Sequence, residues 1–166
     1  MPAENFDNNR LLERIHGKDS GRDIVLVVED SPVTRLLTSR LVSAVLLGYE
    51  VKSAENGVEA IEMVKRGLGE QVAITVTDID MPKMDGLYMA RELKQLMPHV
   101  PIFVNSAGEE YATPGTEESA ILGKMINAGI VDSFEKKPLG VDSVRAGIYR
   151  ALRNLHIRIF TEARRA

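Results

Sequence analysis

Glu29, Asp30 and Asp78 stand where side chains could handle a divalent cation and a phosphoryl group. The acidic pair directly follows the apolar run 24–28, and Asp78 follows the run 72–77. Lys137 comes just after a third such run, 130–135, and is followed by Pro138. An apolar run that stops at a charge reads as a strand delivering that charge to the rim of a sheet, where open α/β folds bind ligands. Carboxylates brought within about 4–6 Å oppose each other's ionisation, so three together call for a cation. An all-oxygen donor set suits a hard ion, Mg2+ or Mn2+, rather than zinc. A rim lysine can meet a phosphoryl oxygen as a point charge. Lys136 and Lys137 point to opposite faces, so only one of them enters the site. Ser106 closes a further apolar run, and its hydroxyl could donate to the same phosphoryl group. Taken singly, these residues are ordinary: strand-end aspartates cap helices, a lone serine makes a turn, and paired lysines are solvated. Their recurrence on successive strand ends carries the chemistry.

Those ends meet only if the elements between them fold as one sheet. Residues 24–28 are continuously β-branched or leucine, as in a strand buried on both faces. Ser31-Pro32 opens a helix, with the serine as N-cap and proline at the first position. Val33, Leu37, Leu41 and Val45 recur along it, and Gly48 follows its end. Residues 49–54 read as a short strand, 58–66 as a helix, and 72–77 as the third strand. A break at 82–86 precedes a helix carrying Leu87, Ala90, Leu93 and Met97. Residues 101–105 are a fourth strand, 107–115 a loop, 117–128 a helix and 130–135 a fifth strand. The last helix runs from Val141, with Val144, Ile148, Ala151, Leu152 and Leu155 on one face. Parallel strands joined by right-handed crossover helices place helices on both faces of one sheet. The expected fold is a single α/β domain with a five-stranded, parallel, doubly wound sheet over 22–154. An N-terminal extension, 1–21, holds a short helix from Asn8 to His16, expected to dock loosely as chain ends do. Residues 155–166 form a basic C-terminal helical extension.

Composition narrows the classes. The chain has 166 residues, no cysteine and a net charge of −3. Disulfides, thiolate catalysis and cysteine zinc sites are excluded, and coating of nucleic acid is disfavoured. No apolar run reaches membrane-spanning length. Residues 1–7 lack a basic segment leading into an apolar one, so a cytoplasmic protein without a secretory leader is expected.

The sequence resembles receiver domains of two-component response regulators, the CheY-like family. The resemblance rests on Val25-Leu26-Val27-Val28-Glu29-Asp30-Ser31, Gly48-Tyr49-Glu50-Val51, residues 54–60, Asp78-Ile79-Asp80-Met81-Pro82-Lys83-Met84-Asp85-Gly86, Ser106-Ala107 and Phe134-Glu135-Lys136-Lys137-Pro138. It implies that Asp78 accepts a phosphoryl group from a sensor histidine kinase or phosphotransfer protein. Asp30, Asp78 and the backbone carbonyl of Asp80 would ligate Mg2+ (or Mn2+), with Glu29 acting through water. Ser106 and Lys137 would contact the phosphoryl oxygens, and Phe134 would move with Ser106 as the switch aromatic. A downstream protein target and a dimer surface on the last helices are further implications; membrane and nucleic-acid partners are not.

Two features depart from the pattern. Asp80 puts another acid two residues past the acceptor, where it could time hydrolysis of the acyl phosphate. The stretch from Ser106 to Lys137 leaves roughly eight residues over, in a region where short connections are the norm. Residues 108–115 are that insert, read as a surface loop, a lid or a partner-specific surface. From Arg145 onward six arginines face one acid, Glu162, a bias that suits a helix C-terminus. Two other classes compete. A haloacid-dehalogenase-like phosphatase also uses Asp-x-Asp, but after its first strand. A phosphorylation-independent interaction module would have lost one of the acidic or lysine positions.

Overall fold

A computed structural model describes residues 7–165. Residues 1–6 of the expected N-terminal extension, and Ala166, lie outside the described residues. Strands β1 (Ile24–Val28), β2 (Glu50–Ala54), β3 (Val72–Asp78), β4 (Ile102–Ser106) and β5 (Ser133–Lys136) form one sheet. Their order is β2-β1-β3-β4-β5 and every pairing is parallel. Helices α1 (Asn8–His16), α2 (Pro32–Val45), α3 (Gly57–Lys65), α4 (Gly86–Leu96), α5 (Glu109–Ala112), α6 (Glu117–Asn127) and α7 (Val141–Arg165) cover it. This is the five-stranded doubly wound sheet expected.

The central strands β1 and β3 are buried at every position, because helices lie on both faces. Alternate side chains feed two cores. Val25, Val27, Ile74, Val76 and Phe103 pack with α1, α2 and α7, while Leu26, Val28 and Val104 pack with α3, α4 and α6. Side-chain oxygens cap the helices that leave the functional rim: Ser31 for α2, Asn56 for α3 and Asp85 for α4. Such caps satisfy amides that have no partner inside the helix.

Several expectations are corrected. The buried residues of α2 are Thr38 and Val42, continued by Leu46; of the four recurring residues, Leu41 and Val45 pack against this core, whereas Val33 and Leu37 are 69% and 54% exposed. Apolar residues occupy most of this helix's circumference, so its spacing offers more than one face, and the Ser31-Pro32 entry sets the rotation. Residues 107–115 are not all loop, since α5 lies within them. β5 begins at Ser133 rather than Ile130, because the Ile130 and Val131 amides donate back to the Met125 carbonyl in α6, at 2.9 and 3.3 Å, instead of joining β4. Helix α1 has the expected bounds but is firmly docked. Leu12 is 1% exposed within the α2–α7 core. Asn8 Nδ2 donates to the Arg145 carbonyl (3.3 Å), Asn9 Nδ2 to that of Leu47 (2.9 Å), and His16 Nε2 lies 2.8 Å from that of Ala73. Burial lowers the His16 pKa, favouring the neutral ring as the donor in that contact.

The expected face of α7 is buried in full. Its arginines do more than complement a dipole. Arg150 pairs with Glu135 at 2.6 Å, Arg145 with Asp142 at 3.3 Å, and Arg158 with Asp132. The Asp132 carboxylate is fully buried and also takes Lys94 Nζ at 2.8 Å. No described helix is long and apolar enough to cross a membrane.

Candidate functional site

The site lies at the C-terminal rim of the sheet. β1 ends at Val28, and Glu29 and Asp30 follow it into the α2 cap. The Ser31 amide donates to Glu29 Oε1 (3.3 Å) and the Arg35 guanidinium to the Glu29 carbonyl (2.7 Å). Arg35 was not anticipated; its place in the first turn after an acidic pair was the available signal. Asp78 is the last residue of β3, paired in register with Asn105 of β4. The amide of Ile79 donates to the Asn105 carbonyl at 3.0 Å. The chain then turns tightly enough for the Gly86 amide to reach the Ile79 carbonyl at 2.8 Å. A Cβ on Gly86 would sit 1.9 Å from the Asp78 carbonyl oxygen, so only glycine fits there. Lys83, at φ 67°, holds the one left-handed non-glycine backbone among the described residues, inside this same turn.

These turns bring the expected carboxylates together. Ligand oxygens of Glu29, Asp30 and Asp78 all lie within 4.8 Å of one another. Glu29 and Asp78 are buried; Asp30 is exposed. Lys137, just past β5, spans the cluster, with Nζ 2.7 Å from Glu29 Oε2 and 3.0 Å from Asp78 Oδ1. Lys136 faces away and pairs with Glu109 of α5. Of the two lysines, Lys137 is the one that enters.

Burial pushes the Asp78 carboxyl up to about 6, against the pull of its bond from Lys137; the charges of Glu29 and Asp80 add to the rise. Burial alone would lower the Lys137 pKa, but its bonds to Glu29 and Asp78 win and hold the ammonium above its usual value. Three carboxylates against one ammonium leave a surplus of negative charge on oxygen donors alone. That donor set fits Mg2+ or Mn2+ and offers nothing a softer metal prefers.

Ser106 ends β4, buried, and its hydroxyl donates to Asp80 Oδ2 at 2.7 Å rather than pointing at Asp78. Asp80 also accepts from the Tyr111 hydroxyl at 3.1 Å. Tyr111 belongs to the insert and had no assigned role; its position in the surplus segment was the only hint. Phe134, in β5, is half-buried against the α3–α4–α6 core.

A parallel α/β sheet with an acidic, lysine-bridged cluster at its C-terminal rim is the architecture of a receiver-type α/β protein. The response regulator receiver domain model matches residues 25–146, and the chain belongs to that family. It is 33% identical over 130 residues to the cyclic di-GMP phosphodiesterase of Thermotoga maritima, covering 78% of this chain and 31% of that protein. With the sensor histidine kinase RcsC of Escherichia coli it shares 33% over 131 residues, 76% of this chain and 12% of that one. The chain thus spans less than a third of the length of these relatives. Among solved structures, Vibrio cholerae chemotaxis protein CheY4 superposes with a TM-score of 0.61 at 22% identity, over 77% of this chain and 97% of that one. A receiver domain from Clostridium thermocellum gives 0.63 at 21%, over 81% and 97%. These structures share the fold.

Proposed function

We propose that this chain is a phosphoacceptor receiver: it takes a phosphoryl group onto Asp78 from a histidine kinase or phosphotransfer protein and alters its docking surface in response. The observation that carries this reading is the Lys137 ammonium bridging Glu29 and Asp78 inside a cluster with excess negative charge. An Asp78 oxygen attacks phosphorus, the phosphorus–nitrogen bond of a phosphohistidine breaks, and the imidazole keeps the electron pair and takes up a proton. Lys137 lies within reach of Asp78 Oδ1, so it can move its bonds to the incoming phosphoryl oxygens. Asp30, Asp78 and the Asp80 carbonyl would hold Mg2+ or Mn2+, with Glu29, which also bonds Lys137, helping through water. Bound there, the ion neutralises charge on the transferring group, which is most of what phosphoryl transfer asks of a protein.

Ser106 would then turn toward the phosphoryl group, and Phe134 would follow into the space it leaves. The output is a shift between two surfaces, not turnover of a separate substrate. Residues 22–154 form the receiver unit in this reading, with 1–21 and 155–166 as extensions. It works in the cytoplasm on a protein target, and exposed Ile157 and Phe160 on α7 offer a dimer surface. A phosphatase that uses Asp80 as acid/base fits poorly, since that carboxylate already accepts from Ser106 and Tyr111.

Acetyl phosphate with Mg2+ should add one phosphoryl group to the wild-type chain by intact mass and none to Asp78→Asn. An adduct on the variant would overturn the assignment.

A further inference from the structure

Residues 108–115 are surplus to the receiver pattern, yet they are wired into its switch. The Gly108 amide donates to Ser106 Oγ at 2.9 Å. The Ser106 hydroxyl donates to Asp80 Oδ2 at 2.7 Å, and the Tyr111 hydroxyl to Asp80 Oδ1 at 3.1 Å. Since Gly108 is the N-cap of α5 and Tyr111 lies within that helix, these bonds close a ring: insert to Ser106, Ser106 to Asp80, Asp80 back to insert. The Tyr111 ring packs against the core and lines the groove between α4 and α6 with Leu87, Ile121 and Met125. Glu109 pairs with Lys136, the neighbour of the lysine in the site.

A serine hydroxyl has one proton to donate. In this structure Asp80 takes it. In the receiver reading, on which this inference rests, a phosphoryl group on Asp78 must take it. The two acceptors compete, and Tyr111 strengthens the first by fixing the carboxylate of Asp80 from its other oxygen. When Ser106 turns, the ring loses both bonds made by its oxygen: the one to Asp80 and the one from Gly108. A new dianion also arrives two residues from Asp80, and like charges at that range repel. The insert is then held by Tyr111, by Glu109 and by the Thr116 hydroxyl, which bonds the Glu110 and Thr113 carbonyls, with its tie to the β4 end gone.

We propose that Tyr111, Asp80 and Ser106 form a resting-state catch, and that phosphorylation of Asp78 opens it and loosens residues 108–113 as a signal-dependent surface. Tyr111 is a positioning residue: it acts on Ser106 through Asp80. The insert thereby does two things, slowing phosphorylation and reporting it.

The test uses the full chain and Tyr111→Phe, which keeps the ring and its packing and deletes only the hydroxyl. Amide hydrogen exchange over 108–113 is followed with and without beryllofluoride and Mg2+, and adduct formation with acetyl phosphate is timed by intact mass. Wild-type exchange over 108–113 should speed up on beryllofluoride binding. The resting Tyr111→Phe chain should already exchange faster there and take up phosphoryl groups about two- to tenfold faster, the factor one ordinary hydrogen bond represents. A purely structural tyrosine would change stability without accelerating the chemistry. Unchanged or slower exchange on beryllofluoride, or equal uptake rates in the two chains, would refute the catch while the wild-type adduct still forms. No adduct on the wild type would instead remove the receiver reading beneath it.

Discussion

Asp78 and Asp132 are both buried aspartates in contact with a lysine, at opposite ends of the same sheet. At the N-terminal ends of β4 and β5, Asp132 answers two cations, Lys94 and Arg158, and accepts the Ile102 amide. At the C-terminal rim, Asp78 shares Lys137 with Glu29 and has Asp30 and Asp80 nearby. Burial pushes both carboxyls upward in pKa. For Asp132 the two cations and the amide pull it back, whereas at Asp78 neighbouring acids add to the rise. One cluster is closed on itself and fastens α7 to the sheet. The other is left with unmet negative charge, an arrangement that costs the fold stability unless a cation offsets it. A buried acid–lysine pair alone says little about function; the local charge balance says which kind it is.

That contrast predicts opposite effects on stability. Asp132→Ala strands Lys94, whose side chain is only 11% exposed. Removing one partner of a buried pair costs about 3–5 kcal/mol, so urea unfolding should shift by that amount. Phosphorylation of the molecules that remain folded should be unaffected.

Asp78→Asn should do the reverse. The folded chain holds a proton on Asp78 up to about pH 6, the unfolded chain only to the ordinary carboxyl value of 3.8. Because the native state binds more protons in that window, metal-free stability falls as pH rises from near 4 to near 6. At 1.36 kcal/mol per unit the loss is at most about 3 kcal/mol. The asparagine variant should therefore be the more stable chain at pH 7, with its advantage fading below pH 4. A thermal-melt series that shows no such convergence would mean that the rim carries no charge strain.

Mg2+ should relieve that strain. At about 100 times its dissociation constant, a ligand of the native state alone adds about 2.7 kcal/mol. The melting temperature of the wild type should rise with Mg2+ and that of Asp30→Asn much less. Asp132→Ala should keep the Mg2+ increment, since its cluster takes no ion. Smallest of all, Arg158→Ala should cost about 1 kcal/mol in unfolding experiments, because it removes a partly exposed partner. Lys94 still holds the carboxylate in that variant.

Much of the rim was legible because parallel register does the work. A residue that ends a run in β1, β3, β4 or β5 arrives at one edge whatever the loops do. Glu29, Asp30, Asp78, Ser106 and Lys137 could thus be grouped from their places along the chain. Asp132 could not. It sits in an apolar stretch that reads as strand interior, and its partners are 38 and 26 residues away, with no local pattern joining them. The α2 face was half legible: Leu41 and Val45 pack inward as their spacing suggests, but Val33 and Leu37 are exposed, because apolar residues nearly encircle that helix. The docking of α1 rests on Leu12 in the core, with Leu11 and Ile15 packed against it, and on Asn8, Asn9 and His16 bonding distant carbonyls; periodicity marks the apolar face but not its partners. Tyr111 and Asp80 meet across 31 residues through the shape of an insert. Such contacts belong to tertiary packing, and the sequence marked only where extra chain had to go.

The central claim is that the unmet charge at the rim exists to phosphorylate Asp78. The direct measurement is borohydride trapping after acetyl phosphate treatment, followed by peptide mass mapping. Reduction of an aspartyl phosphate leaves homoserine, and the account predicts it at position 78, dependent on Mg2+. Homoserine at 30, 80 or 132 instead, or equal labelling at 78 with the divalent ion chelated away, would contradict it.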